Sequence, residues 1–282
     1  MKTDFRIPTT GAFGNPIAEN PSGVMCEAGY QSLGLDWRYQ LFEVKPKDLG
    51  KALEGVRCMG FKGLNLTIPH KIAAIPYMDE LTESAKIIGA INTVLVTEDG
   101  KLKGENTDGK GFVLGMESNQ ISLTGKRIVI LGAGGAARAI SVECAFAGCE
   151  EIVVVARKEV AGSELSELIR TKTKSKSSYL PWTPKLQIPL CDILINATNI
   201  GLYPDTNKPD IDYGTICKGM IVQDIIPNPA MTPFLAEAKK CGALVFDGMQ
   251  MLVNQGALGV KLWTGKEPSK EAMLHALEAL ND

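Results

Sequence analysis

Histidine is almost absent from this chain: there are two in 282 residues, at positions 70 and 275. The seven cysteines (26, 58, 144, 149, 191, 217 and 241) are scattered and contain no C-x-x-C spacing. Without clustered thiols and imidazoles no metal site is expected. An odd, unclustered set of thiols does not make a disulfide framework either. It fits a reducing, cytoplasmic compartment in which cysteines serve as small apolar packers. The opening residues MKTDFRIPTTG lack the apolar stretch of a signal peptide, and no run approaches the roughly 18 apolar residues of a membrane span. No membrane partner is therefore expected. The net charge is −2 and no Lys/Arg run dominates, which excludes the electrostatic footprint of a nucleic-acid binder.

What is present is the material for two lobes. A chain of 282 residues, 45% hydrophobic, is long for one core and suits two of roughly 100–150 residues each. Short β-like runs alternate with longer helical ones, so the fold class is α/β. In the first third, WRYQLFEV (37–44) reads as a strand and KPKDLGKALEGVRCMG (45–60) as a helix. GLNLTIPHK (63–71) supplies a strand that ends at a proline, since Pro69 has no N–H to continue the ladder. KIAAIPYMD and LTESAKIIGA read as short helices, and residues 91–108 as a hairpin turning at Glu98-Asp99-Gly100.

The texture changes near residue 122. TGKRIVILGAGGAARAISVECAFAGCEEIVVVARK reads as a βαβ unit, followed by strands DILINAT (192–198) and GMIVQDII (219–226). Continuous apolar strands of this kind are buried on both faces, as in a parallel sheet. The polar, Pro-punctuated stretch 171–189 reads as an exposed connection, and NQGALGVKLWTG and SKEAMLHALEAL as closing helices.

Within LGAGGAARA, Gly132, Gly134 and Ala137 meet the G-x-G-x-x-G/A spacing between a strand and a helix. Gly132 permits the tight turn, Gly134 lets the backbone approach a pyrophosphate, and Ala137 lets helix and strand pack closely. The helix N-terminus then holds the negative charge. The second strand ends Ala156-Arg157-Lys158 rather than in a carboxylate. Two cations there favour a 2′-phosphate, hence NADP, with NAD left open by Glu159.

Seven blocks in order resemble the shikimate dehydrogenase family, which includes quinate/shikimate dehydrogenases: FGNPIAENPSGVMCEAG (13–29), GLNLTIPHK (63–71), GAINTV (89–94), GENTDGKGF (104–112), LGAGGAARA (131–139), INATNIG (195–201) and GMQMLVNQGALGVKLWTG (248–265). The resemblance covers almost the whole chain. It implies two lobes: a substrate-binding lobe, residues 1–106 completed by helices in 250–282, and a Rossmann lobe of doubly wound topology, residues 107–249. It implies reversible NADP-dependent hydride transfer between 3-dehydroshikimate and shikimate, in aromatic amino acid biosynthesis, by a monomer or homodimer. Lys71 and Asp108 match the family's catalytic pair. Asn20, Ser22, Thr67, Asn92 and Gln255 match substrate-binding positions. Gly135, Ala136, Thr198, Gly248 and Met251 join the glycine turn and residues 156–158 as cofactor-binding positions.

The chemistry suits those residues. Hydride addition to a carbonyl leaves a developing alkoxide that needs a proton and a positive neighbour, and a lysine ammonium supplies both. Asp108 reads as an orienter and substrate hydrogen-bond acceptor, and also as a helix N-cap. His70, beside Lys71 at a strand end, reads as pointing elsewhere.

The chain departs from the family where H-S-x-S-P becomes Glu19, Asn20, Ser22 and Gly23, with Cys26 and Glu27 at the later H-N. Y-N-P becomes Pro227-Asn-Pro, and N-R-T/S becomes ARK. An asparagine can still donate through its amide, but a proline cannot replace a phenol. These changes touch the substrate-carboxylate and adenosine ends. They leave quinate, an amino-substituted shikimate or a related cyclic hydroxy acid open as substrates. A catabolic quinate/shikimate dehydrogenase using NAD and a non-catalytic nucleotide-binding regulator are the other readings.

Overall fold

A computed structural model describes residues 5–280, which divide into two compact units: residues up to Thr107 together with those from Val253 onward, and Asp108–Leu252.

The first unit is built on a six-stranded mixed sheet. Its strands are β1 (Thr9–Gly14), β2 (Arg38–Glu43), β3 (Gly63–Leu66), β4 (Glu80–Leu81), β5 (Thr93–Val96) and β6 (Leu102–Glu105), in the order β2-β1-β3-β5-β6-β4. β1 runs parallel to β2 and β3, while β3/β5 and β5/β6 are antiparallel. The β5–β6 pair is the expected hairpin; Gly100 at its turn has φ +79°, a conformation open to glycine. Four helices accompany these strands: α1 (Ser22–Ser32), α2 (Leu49–Cys58), α3 (His70–Ala73) and α4 (Glu83–Ile88). The helix expected over 45–60 begins as a 3-10 turn at Pro46–Asp48, because a proline early in the segment has no N–H to give. α4 starts where the Thr82 hydroxyl accepts from Ala85 N and stops at Gly89, φ +67°. Leu49, Leu53, Val56, Leu64, Leu66, Ile91 and Val94 form the core of this unit.

The second unit carries strands β7 (Arg127–Leu131), β8 (Glu151–Ala156), β9 (Lys176–Pro181), β10 (Leu186–Gln187), β11 (Ile193–Asn196), β12 (Ile211–Asp212), β13 (Ile221–Asp224) and β14 (Leu244–Phe246). Its main sheet is wholly parallel in the order β14-β13-β11-β7-β8-β9, and β10 pairs with β12 separately. Its helices are α5 (Asp108–Ser118), α6 (Gly135–Phe146), α7 (Glu159–Lys172) and α8 (Pro233–Lys240). The apolar run of β7 divides between two cores: Ile128 and Ile130 pack with Ile140 and Cys144, Val129 and Leu131 with Phe234 and Leu235. Both faces are covered, which is why every strand residue from 128 to 131 is apolar.

One expectation fails here. Residues 171–189 are not merely an exposed connection: 176–181 form β9, the edge strand beside β8. Its sequence KSSYLP mixes exposed and half-buried positions, none of them fully buried. An edge strand with one wet face needs no continuous apolar run, so its composition resembles a loop. The chain closes with α9 (Met249–Thr264) and α10 (Lys270–Glu278). Residues of both from Val253 onward belong to the first unit, where Trp263 Nε1 donates to Val94 O (3.0 Å) and Met273 lies over Gly29. Among the described residues no helix is long and apolar enough to cross a membrane.

Candidate active site

In the second unit the glycine turn lies between β7 and α6. Gly132 has φ +113°, which a side chain rarely adopts, and a Cβ there would crowd Ala197 O at 3.0 Å. Gly134 and Gly135 differ: a Cβ on either would meet nothing within 4 Å. Glycine at these two positions is not required by the fold. What it leaves is bare backbone at the start of a 12-residue helix, the surface a pyrophosphate approaches. Ala136 is half-buried beside this turn and Ala137 fully buried, in the apolar cluster with Ile128 and Ile140.

Ala156 ends β8 buried, while Arg157 and Lys158 are exposed and, among the described residues, in no ion pair. Lys158 stands at the N-cap position of α7 with no side-chain capping bond. These residues fit a dinucleotide carrying a 2′-phosphate. Thr198 is differently placed: its hydroxyl donates to Asn196 Oδ1 (2.7 Å) and accepts from Ile200 N (3.1 Å), so it shapes the loop. Met251 is packed in the apolar cluster with Ile195 and Ala197. Gly248 N donates to Ile226 O (3.0 Å), and the backbones meet so closely that a Cβ on Gly248 would stand 2.1 Å from Ile225 O.

The same strand ends hold a buried acid. Asp224 accepts from Thr232 Oγ1 (2.7 Å), Asn196 Nδ2 (3.1 Å) and Ile226 N (3.2 Å). Burial nevertheless outweighs these bonds and pushes its carboxyl up to about 6. A folded-state value above the unfolded one means the folded chain holds its proton more tightly. This group's stabilising contribution is therefore complete below about pH 4 and is lost as pH rises through about 6. Asp224→Asn should flatten the stability profile between pH 4 and 7, removing a slope worth up to about 3 kcal/mol, measured by urea unfolding across that range.

In the first unit the β3–α3 corner sets Lys71. His70 is completely buried and its Nε2 lies 2.8 Å from Val44 O; a carbonyl only accepts, so the ring proton sits on Nε2. Together with His70 N to Thr67 O (2.8 Å) and Ile91 N to Lys71 O (2.8 Å), this pins the turn. His70 is an anchor, though it opens α3 rather than ending β3. Thr67 is half-buried just after β3, and Lys71 half-buried as the second residue of α3. Asp108 is 7% exposed and is itself the first residue of α5. It is thus one position inside the helix rather than at the N-cap, a correction to the capping expectation. An acidic group in a first turn is still favoured by the helix dipole.

Asn92 and Gln255, 163 residues apart, meet at 3.4 Å, Asn92 Nδ2 donating to Gln255 Oε1. Asn92 Nδ2 also donates to Thr107 Oγ1 (3.0 Å), and its Oδ1 accepts from Thr107 N (2.7 Å) and Thr93 Oγ1 (3.1 Å). The network extends to residues the sequence reading missed. Asn65 Nδ2 donates to Asn92 O and Thr93 Oγ1 (both 3.0 Å), and Tyr39 Oη donates to Asn65 Oδ1 (2.7 Å). The polar Asn65 inside the apolar run GLNL was the available signal. At the start of α1, Asn20 Oδ1 accepts from Ser22 N (2.8 Å), and Glu27 Oε1 accepts from Tyr39 N (3.0 Å).

A family profile described as the shikimate dehydrogenase substrate binding domain matches residues 12–94, and one described as the shikimate 5′-dehydrogenase C-terminal domain matches 248–278. The chain is 43% identical over 264 residues to a shikimate dehydrogenase (NADP(+)) of Bacillus thuringiensis subsp. konkukian, covering 93% of this chain and 95% of that protein. The chain belongs to the shikimate dehydrogenase family. Among solved structures, 5-ketofructose reductase of Gluconobacter sp. strain CHM43 in its ligand-free form is similar at 44% identity and TM-score 0.93, over 98% of this chain and 100% of that one. Shikimate 5-dehydrogenase of Thermus thermophilus, in complex with NADP(H) and shikimate, is similar at 33% identity and TM-score 0.87, over 97% and 99%. Shikimate dehydrogenase relatives therefore include at least one reductase named for a ketose.

Proposed function

We propose that this chain is an NADP-dependent oxidoreductase of the shikimate dehydrogenase type, moving hydride reversibly between the cofactor and a ketone/alcohol carbon of a small polyhydroxylated molecule. The observation that carries this is the near full-length similarity to NADP(+)-named shikimate dehydrogenases, together with a glycine turn left bare where a phosphate approaches. Bound NADP would supply the hydride. Lys71 gives the proton that the developing alkoxide takes up, and its charge stabilises that alkoxide. Asp108 accepts a hydrogen bond from a substrate hydroxyl and orients it. Thr67, Asn92 and Gln255 hold further hydroxyls, and Asn20 and Ser22 hold the far end of the substrate. Seven free cysteines support a reducing, cytoplasmic setting.

NADPH oxidation with 3-dehydroshikimate, and NADP reduction with shikimate, test the reaction; no turnover with any ketone would overturn it. A second substrate class, a neutral ketose, is favoured by the likeness to 5-ketofructose reductase and by the replacements at Asn20 and Pro227. Nucleotide choice has its own test. Arg157→Ala should raise KM for NADP by about 10–100-fold, the loss of one charge-assisted hydrogen bond, and leave KM for NAD nearly unchanged. Equal losses for both nucleotides would refute the 2′-phosphate contact.

A further inference from the structure

Residues 197–201 follow β11 in neither helix nor strand, and the side chain of Asn196 gives them their shape. Asn196 Oδ1 accepts from Thr198 N (3.2 Å) and Thr198 Oγ1 (2.7 Å). Its Nδ2 donates to Ile200 O (3.3 Å). A carbonyl can only accept, so the orientation of this amide is settled. The other Nδ2 hydrogen goes to Asp224 Oδ1 (3.1 Å). Asn196 and Asp224 stand in register across β11 and β13, and both are completely buried. The acid is held from two further sides. Ile226 N also donates to Oδ1 (3.2 Å), and Thr232 Oγ1, the N-cap of α8, donates to Oδ2 (2.7 Å).

The loop shaped in this way borders the glycine turn. In the order β14-β13-β11-β7-β8-β9 the chain runs outward from β7 through β8 and β9, then returns on the other side of β7 at β11. Ligands of open parallel sheets sit outside the strand ends at such a reversal. The glycine turn follows β7 on one side of it. On the other side, Ala197 N donates to Leu131 O (2.9 Å), and a Cβ on Gly132 would stand 3.0 Å from Ala197 O and 3.1 Å from Thr198 Cγ2. Loop and turn are thus in contact, and a shift of the loop changes the crevice.

We propose that Asp224 is a positioning residue for the nucleotide: through Asn196 it fixes loop 197–201 against the glycine turn and so sets the crevice that receives the dinucleotide. Buried behind Asn196, it acts on the loop and not on the ligand. A loop released from this anchor samples other conformations, and affinity falls with the fraction that stays competent. The assignment rests on the nucleotide-binding reading of the glycine turn.

The test is calorimetric titration with NADP, beside thermal melting, on wild type and on variants of the three side chains. Asp224→Ala and Asn196→Ala should each raise Kd for NADP by about tenfold. In the Asn196→Ala background, Asp224→Ala should add less than about twofold, because both remove one link. Asp224→Asn keeps an oxygen for Asn196 Nδ2 and Ile226 N, and should restore Kd to within about threefold of wild type. Thr232→Val removes the α8 cap and the bond to Oδ2 but spares the link to Asn196; it should lower Tm and leave Kd unchanged. A merely structural role for Asp224 gives another pattern, in which Tm falls and Kd does not move. That pattern overturns the proposal, as does a Kd raised as much by Thr232→Val as by Asp224→Ala. Asn196→Ala reads the same link from its other end should Asp224→Ala not fold. A wild-type protein that binds no NADP overturns the nucleotide reading and the proposal with it, a result distinct from binding that no variant alters.

Discussion

Lys71→Ala is expected to lower kcat by about 10²–10⁴ while NADP affinity stays nearly unchanged. The size follows from the role: without the ammonium, the developing alkoxide has neither a positioned proton nor an adjacent positive charge. The structure also argues that the variant folds. The corner is held by His70 Nε2 against Val44 O, His70 N against Thr67 O and Ile91 N against Lys71 O. None of these bonds uses the Lys71 side chain, which is half-buried on a four-residue helix. Steady-state NADPH oxidation gives kcat, and quenching of protein fluorescence by nucleotide gives the affinity. An alanine variant that turns over like wild type would sink the acid/base assignment.

Gly248→Ala is expected to lower the melting temperature and weaken NADP binding together. An added Cβ would lie 2.1 Å from Ile225 O, 2.3 Å from Ile225 C and 2.8 Å from Ile226 C. All three are backbone atoms that cannot swing aside. The bond from Gly248 N to Ile226 O, 3.0 Å, ties the two segments, so they separate only by losing it. Overpacking of this kind costs about 1–3 kcal/mol or more, which in a unit of this size lowers Tm by roughly 2–10 °C. Gly134→Ala supplies the contrast. Nothing in the protein lies within 4 Å of its added Cβ, so Tm should hold while KM for NADP rises, because the methyl occupies the phosphate's approach. A Gly134→Ala protein with unaltered KM for NADP would count against that placement.

Local rules explain what could be read from residue order. The nucleotide turn is legible because each of its glycines answers a short-range demand: positive φ at Gly132, and bare backbone next to the first turn of α6 at Gly134. The β5–β6 hairpin is legible for the same reason, its register following from a turn within nine residues of Thr93. His70 reads as pointing elsewhere from its place beside Lys71, and the structure gives it an anchoring bond to Val44 O as the first residue of α3. β9 was not legible, because an edge strand with one wet face carries a loop-like composition. Asp108 as the first helical residue rather than the cap was a one-position error, of the size local signals leave at helix ends.

The buried polar network of the first unit belongs to a different class of information. Lys71, Asn92, Ser22 and Gln255 came from resemblance, which carries residue types and their order along the chain. It does not carry the direction of a hydrogen bond. Tyr39 and Asn65 are 26 residues apart and join only because β1 brings β2 and β3 into one sheet. Asn92 and Gln255 join only because α9 returns to the first unit. The amino-acid order alone was enough for the nucleotide class, since that depends on local backbone geometry and on residue type. The partners of Tyr39 Oη and of the Asn92 amide were decided by tertiary structure: each donor needs an acceptor within about 3 Å, and the acceptors come from segments distant in sequence.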